Sequence, residues 1–187
     1  PLTLVTIVGV TNAINLSDGL DGLAGGISLL SFACIGYLAY IEGDFMIARV
    51  AVALAGAIFG FLRFNTYPAS IFMGDTGSQF LGFSAIILSL KLTQSETALS
   101  TLLPLIILGF PVLDTLVVMA QRFQEGRPFF LADKNHFHHR LLRLGLYQTE
   151  SVLLIYVIQA GLVTTAFLFR FHSEWLFLIG YIIFSAI

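Results

Sequence analysis

Long apolar runs recur along this 187-residue chain and restrict its possible folds more than any other feature. A helix that crosses a bilayer needs about 20 mostly apolar residues. Only 11% of the residues are charged, whereas a soluble domain contains about 25% charged residues. A soluble fold of this size would leave much apolar surface in water. The sequence therefore predicts an all-α integral membrane protein, a polytopic bundle of transmembrane helices.

The apolar runs predict seven membrane segments, of which the fourth is short. Its helix is expected to begin earlier, within 77–83, or to lie partly across the interface. No tandem repeat divides the chain, so residues 1–187 are expected to form a single membrane domain. Because both ends fall inside apolar segments, we expect this domain to be the C-terminal portion of a longer protein. The predicted segments are 2–14, 23–41, 47–62, 80–92, 99–119, 152–169 and one from residue 175.

Positive residues are unevenly divided between the two faces of the predicted bundle. If the segments alternate in direction, the connections 12–22, 63–79 and 121–150 share one face and hold six of the nine Lys and Arg residues. Positive charge marks the cytoplasmic side of a membrane protein. All the polar motifs fall on this same predicted cytoplasmic face, which favours an active site there. The net charge of −2 gives no reason to expect nucleic acid as a partner.

The first polar motif, residues 12–26, places Asn or Asp at every third position as far as Asp21. In a continuous helix this spacing would drift by about 60° per step. A break that returns Asp18 and Asp21 to one cavity is the favoured interpretation, because carboxylates at a membrane edge are costly and usually functional. Helix capping is the alternative. The backbone freedom for the break is assigned to Gly19, Gly22, Gly25 and Gly26.

The second motif, residues 65–78, contains the strongest metal-ligand candidate. Pro68 is expected to end the preceding helix, and two glycines flank Asp75 so that the backbone can approach a ligand. A carboxylate with nearby amide oxygens suits Mg²⁺, which keeps waters and bridges to substrate phosphates. Phe72 could stack on a base, but anchoring the loop in lipid explains it equally well.

The third motif, residues 126–140, combines three histidines with several cations. Such a loop could bind an anionic substrate, coordinate a transition metal, or only satisfy the positive charge bias. Zinc is the weaker choice, because the neighbouring cations attract phosphate and repel a metal. Asp114 lies near the same face and could pair with a loop cation or support helix packing. Together the motifs suit phosphoryl transfer, with a lipid phosphate as one reactant.

The three motifs resemble the polyprenyl-phosphate N-acetylhexosamine-1-phosphate transferase family, also called glycosyltransferase family 4, in their order and over most of the chain. The resemblance implies transfer of a sugar 1-phosphate from a UDP-N-acetylhexosamine to undecaprenyl phosphate, with release of UMP. It further implies a Mg²⁺ requirement, with Mn²⁺ as a substitute. The expected location is the bacterial cytoplasmic membrane, with several spans in the bilayer and the active site facing the cytoplasm. A homodimer is compatible with it.

The resemblance also implies roles for individual residues. Asp75 would bind the metal with Asn15 as co-ligand, and Phe72 would stack on uracil. The histidine loop would contact the sugar or the diphosphate. The predicted catalytic residues are Asp18, Asp21, Asp75 and His136; the substrate-binding residues are Asn65, Phe72, Gly19, His138, His139 and Arg140; the metal ligands are Asp75 and Asn15.

Within the family, the loop 130–140 resembles that of undecaprenyl-phosphate N-acetylglucosamine-1-phosphate transferases, which initiate teichoic acid, O-antigen lipopolysaccharide or related cell-wall polymers. A phospho-MurNAc-pentapeptide translocase is the alternative. The chain departs from the family in lacking an adjacent Asp pair. We expect that acidic motif in an upstream segment, without which these residues alone would be inactive. From other classes, a membrane transporter and a headgroup-binding scramblase or structural subunit are the competing hypotheses.

Overall fold

The computed structural model describes residues 2–94, 99–126, 128 and 135–171, and every regular element in this part of the chain is a helix. The predicted segment from residue 175 and much of the third motif before Asn135 lie outside the described residues. The helices are α1 (Leu2–Leu16), α2 (Leu23–Ile41), α3 (Phe45–Asn65), α4 (Gly74–Gln94), α5 (Leu103–Ile107), α6 (Gly109–Gln124), α7 (Phe137–Arg143) and α8 (Gln148–Leu168).

Within the described ranges, three helices are long and apolar enough to cross a membrane, namely α2, α3 and α8. This confirms the predicted all-α membrane fold. The fourth predicted segment was placed too late, because α4 begins at Gly74 and not at residue 80. Its first turn is polar and contains Asp75, so hydropathy alone could not locate the helix start.

The predicted single segment 99–119 is wrong. The chain instead forms the short helix α5 and then α6, with a break at Leu108, where φ is −104° and ψ is 26°. Pro111 lies three residues beyond the break and has no N–H to donate to the carbonyl of Ile107. A continuous helix would therefore leave this carbonyl without its usual partner.

Two side chains from neighbouring helices form hydrogen bonds with the backbone groups left unpaired at the break. The amide nitrogen of Gln159 on α8 donates to Ile107 O at 2.7 Å, and its amide oxygen accepts from Phe110 N at 3.2 Å. Ser31 on α2 also donates to Ile107 O, at 3.0 Å. Both side chains are fully buried. Broken helices are tolerated in membranes when protein groups satisfy the freed backbone in this way.

The packing brings one end of several helices together. α2 packs against α3, α4, α5 and α8, while α4 packs along α1. Gly82 allows this second contact, because a Cβ there would lie only 2.9 Å from Thr11 Cα. An apolar cluster joins α2, α6, α7 and α8 beneath the connections at this end. Its buried members are Leu23, Ile27, Phe110, Leu141, Val152 and Ile155.

We call this end of the bundle the motif face. It carries the connections 17–22 and 66–73 and the described residues between α6 and α8, as the sequence predicts. Direct contacts between these connections confirm that they share a face: Ala69 N donates to Asp21 Oδ2 at 3.0 Å. Which side of the membrane this face occupies stays a prediction.

Candidate active site

The connection 17–22 interrupts the helix between α1 and α2, as predicted. Gly22 has φ +82°, a left-handed conformation that glycine adopts without strain. It is also the residue that precedes α2, and no side chain caps that helix start. The carboxylate of Asp21 accepts from Ala69 N in the second motif. Capping of α2 therefore does not explain Asp18 and Asp21.

Gly25 and Gly26 allow close packing and do not provide the predicted backbone freedom. Gly25 and Gly26 lie inside α2, and only Gly22 in this motif has a positive φ. A Cβ on Gly25 would lie 2.9 Å from the Leu62 side chain, and one on Gly26 would lie 2.1 Å from Tyr156. These two glycines make room for neighbouring side chains, so the predicted contribution to backbone freedom was wrong for both.

Asn65 ties the first motif to the second. Its amide oxygen accepts from Gly22 N at 3.1 Å, and its amide nitrogen donates to Ile71 O at 2.9 Å. The residue is only 3% exposed. Asn65 therefore holds both connections in place, while its predicted contact with a nucleotide stays a prediction.

A cavity of about 190 Å³ opens between these two connections. Pockets for drug-sized ligands measure about 300–1,000 Å³, so this cavity would enclose part of a ligand of that size and not all of it. Phe72 stands at its edge with 76% of its surface exposed. The lining residues are Asp18, Gly19, Leu20, Asp21, Asn65, Phe72 and Met73, which include five of the predicted site residues.

Asn15 and Asp75 are adjacent, as the metal-site prediction requires. The amide nitrogen of Asn15 donates to Asp75 Oδ1 at 3.2 Å and to Ser78 Oγ at 2.8 Å. Ser78 in turn donates to Gly74 O at 3.1 Å, which fixes this contact to the first turn of α4. Asp75 itself is exposed, so water and a ligand can reach its carboxylate.

Negative charge accumulates around the cavity. Burial raises the pKa of Asp18 above its ordinary value, and the charges of Asp75 and then Asp21 raise it further. In the described ranges, no group of three or more His, Cys, Asp or Glu side chains is arranged to hold a metal by itself. The arrangement fits Mg²⁺, which commonly takes one or two carboxylates and completes its shell with waters and phosphates.

Asp114 orients the histidine segment. Its Oδ2 lies 2.9 Å from His136 Nδ1, and its Oδ1 accepts from Phe137 N at 2.8 Å. Both the carboxylate and the imidazole are buried. A carboxylate at Nδ1 favours the tautomer protonated there, which makes Nε2 the basic nitrogen. The sequence had left the role of Asp114 open between a loop cation and packing; its partner is a histidine.

His138 connects the histidine segment to the acidic loop. Its ring packs on Gly19, where a Cβ would lie 2.3 Å from His138 Nε2. Burial and the neighbouring His139 lower the pKa of His138 to about 4. The ring is 2% exposed, and its Nδ1 has no hydrogen-bond partner within the described part of the chain. The ring centroids of His138 and His139 are 4.3 Å apart.

Arg140 is positioned by groups of its own segment and of α6. Its Nε donates to Asn135 O at 2.8 Å, and its guanidinium also contacts the amide oxygen of Gln121. Neither Arg140 nor His136 lines the cavity. The structure thus brings His138 and Gly19 together, whereas contacts of His136, His139 and Arg140 with a substrate stay predictions.

Comparison with known proteins adds an independent finding. Residues 1–93 match the family described as "Glycosyl transferase family 4". The chain is 45% identical over 177 residues to the "Probable undecaprenyl-phosphate N-acetylglucosaminyl 1-phosphate transferase" of Bacillus subtilis (strain 168). The alignment covers 94% of this chain and 49% of that protein.

Two further relatives carry related names. The "Undecaprenyl-phosphate alpha-N-acetylglucosaminyl 1-phosphate transferase" of Escherichia coli (strain K12) is 33% identical, over 97% of this chain and 52% of that protein. The "Decaprenyl-phosphate N-acetylglucosaminephosphotransferase" of Mycobacterium leprae (strain TN) is 39% identical, over 83% of this chain and 44% of that protein. The chain spans about half the length of these curated relatives.

Proposed function

This chain belongs to glycosyl transferase family 4, and we propose that, as part of the whole protein, it transfers N-acetylglucosamine 1-phosphate from UDP-N-acetylglucosamine to undecaprenyl phosphate. An oxygen of the lipid phosphate forms a bond to the β-phosphorus of the nucleotide sugar. The bond from that phosphorus to the bridging oxygen breaks, and UMP leaves. The product is a lipid-linked diphosphate sugar, and the charges balance without a redox partner.

The observation that carries the proposal is the acidic cavity beside the Asn15–Asp75 contact. Asp18 and Asp21 line this cavity and would repel a bound diphosphate. A divalent cation between the carboxylates and the phosphates removes that repulsion. The proposed cofactor is therefore Mg²⁺, with Mn²⁺ as a substitute, and it would neutralise charge on the transferred phosphate.

The residues of this chain have separate proposed tasks. Oxygens of Asp75 and Asn15 would hold the metal, and Asp18 and Asp21 would complete the anionic wall that retains it. The exposed ring of Phe72 stacks on the uracil at the mouth of the cavity. On the histidine side, Asp114 fixes the His136 imidazole through Nδ1, and Nε2 is the nitrogen that would contact the sugar or the diphosphate.

The finer assignments follow the names of the relatives and the form of the histidine loop. We place the site on the cytoplasmic face of a bacterial inner membrane, where a lipid-linked sugar would initiate a cell-envelope polymer such as teichoic acid or lipopolysaccharide. A transporter would need polar groups at bilayer depth that are open to a solute. At the helix break, Gln159 and Ser31 are instead committed to the backbone at Ile107 and Phe110.

The test is an assay of the full-length protein in detergent with undecaprenyl phosphate and UDP-N-acetylglucosamine. We expect UMP release that requires the lipid and Mg²⁺ and stops on chelation. UDP-MurNAc-pentapeptide is the matched competitor substrate, and preference for it would overturn the sugar assignment. No UMP from any UDP-sugar, together with solute uptake into liposomes lacking lipid phosphate, would overturn the transferase proposal in favour of transport.

A further inference from the structure

We propose that Tyr156 on α8 is a positioning residue that fixes the acidic loop 17–22 through the backbone of Gly22. This inference rests on the proposed function and extends it to a residue that lies outside all three motifs. The Tyr156 hydroxyl donates to Gly22 O at 2.6 Å. Gly22 directly follows Asp21, so the hydrogen bond acts on the backbone at the point where the loop enters α2.

The contact depends on space that two glycines leave open. A Cβ on Gly26 would lie 2.1 Å from both the hydroxyl oxygen and Cζ of Tyr156, which is far inside van der Waals contact. A Cβ on Gly22 would lie 3.3 Å from the same hydroxyl. The tyrosine ring therefore lies directly against the first turn of α2, one helical turn from the loop.

Both backbone polar groups of Gly22, its N–H and its carbonyl, form hydrogen bonds to side chains. Asn65 accepts from its N–H at 3.1 Å, while Tyr156 donates to its carbonyl. The same carbonyl accepts from Gly26 N at 2.9 Å in the first turn of α2. With its φ of +82°, Gly22 sets the direction in which the preceding residues leave the helix, and these include Asp18 and Asp21.

α8 contacts both the acidic loop 17–22 and the helix α7 that carries His138. Val152 and Ile155, on the same helix as Tyr156, belong to the apolar cluster that also contains Leu141 of α7. α7 carries His138, whose ring packs on Gly19 of the acidic loop. Tyr156 thus contacts the acidic loop at Gly22. His138 of α7, which packs against α8, contacts the same loop at Gly19.

The first experiment compares Tyr156→Phe with the wild type in the full-length protein. Loss of this hydrogen bond loosens the loop without removing a group from the site, so we expect kcat to fall roughly two- to tenfold. The Mg²⁺ concentration for half-maximal rate should rise, because the carboxylates are less well placed, while KM for undecaprenyl phosphate stays unchanged. The matched control is Tyr37→Phe, whose ring contacts Phe167 in another part of the bundle. Unchanged kcat and Mg²⁺ dependence in Tyr156→Phe would overturn the proposal.

A double-mutant cycle tests the steric half of the inference. Gly26→Ala should lower kcat by more than Tyr156→Phe, because its Cβ would displace the whole ring. In a Tyr156→Ala background the same Gly26→Ala change should cost little more, since the ring it would meet is absent. Equal costs of Gly26→Ala in both backgrounds would contradict the proposed contact.

Backbone hydrogen exchange of residues 17–26 separates this inference from the proposed activity. In Tyr156→Phe we expect faster exchange in this segment and unchanged exchange in α3. Because this measurement needs no turnover, it decides the positioning role even if the wild type releases no UMP. Faster exchange with an inactive wild type would overturn the activity alone. Unchanged exchange would overturn the positioning role alone.

Discussion

Two polar clusters in this bundle show opposite uses of buried polar groups. At the helix break, Gln159 and Ser31 pair neutral donors with neutral acceptors around Ile107 and Phe110. At the motif face, Asp18 lies near Asp21 and Asp75, and burial and both charges raise its pKa. The first cluster is internally satisfied, whereas the second concentrates like charges.

This difference indicates which cluster supports the fold and which supports function. Hydrogen bonds at the break replace the one that Pro111 cannot donate to Ile107 O and also satisfy Phe110 N, so the folded state benefits directly from them. Repulsion between carboxylates opposes folding, and a protein retains it where a ligand or metal relieves it. We therefore expect substitutions in the first cluster to change stability and substitutions in the second to change activity.

The largest effect is expected for Asp75→Asn. The change removes the charge that we propose binds the metal but keeps the shape of the side chain, and Asp75 is exposed, so the fold should persist. We expect turnover to fall by about 100- to 1,000-fold, as when an electrostatic catalytic group is removed, with unchanged membrane insertion. UMP release by the full-length protein is the measurement.

The matched control for Asp75→Asn is Glu42→Gln, which removes a carboxylate from the opposite end of α2. Its rate should equal that of the wild type. An active Asp75→Asn protein would refute the metal assignment, and equal losses in both variants would show that the motif face has no special role.

The second effect concerns Gln159→Leu, which keeps much of the volume but removes the Gln159 hydrogen bonds to Ile107 O and Phe110 N. Ser31 still donates to Ile107 O, whereas the buried Phe110 N loses its partner, at a cost of about 1–3 kcal/mol. Thermal inactivation in detergent should therefore occur at a lower temperature, while UMP release per folded molecule stays within about twofold of the wild type. Thr164→Val serves as the control, because that exposed hydroxyl donates to Ala160 O in its own helix. Lost turnover with unchanged thermal stability would reverse the assigned roles of the two clusters.

Much of the fold could be predicted from hydropathy because the bilayer imposes a simple requirement on helix length. The start of α4 and the break before α6 could not. The polar first turn of α4 hid its beginning, and the break depends on Gln159, which is about 50 residues away in sequence from Phe110. Pro111 was the available signal for the break, since proline inside an apolar run disrupts helical hydrogen bonding.

The motifs placed the site on one face, but the sequence could not predict most of its contacts. Asn15 and Asp75 are in contact, which is compatible with the metal pair that the family resemblance implied, while their role as metal ligands stays a prediction. The pairing of Asp114 with His136 was missed, although an acidic residue in an apolar span was a signal. Tyr156 carries no such signal. Its contact depends on the absence of a side chain at Gly26. The sequence analysis had assigned that glycine a role in backbone freedom.

The smallest effect concerns acid stability and extends the comparison to the histidine half of the site. Burial and His139 lower the pKa of His138 from 6.5 to about 4, so the unfolded chain binds this proton more readily than the folded chain. The stability that neutral His138 contributes is therefore complete above pH 6.5 and is lost as the pH falls towards 4. We expect the thermal half-life of His138→Gln to decrease less than that of the wild type between pH about 7 and about 5. Parallel pH profiles of the two proteins would show that the buried imidazole does not contribute to acid sensitivity.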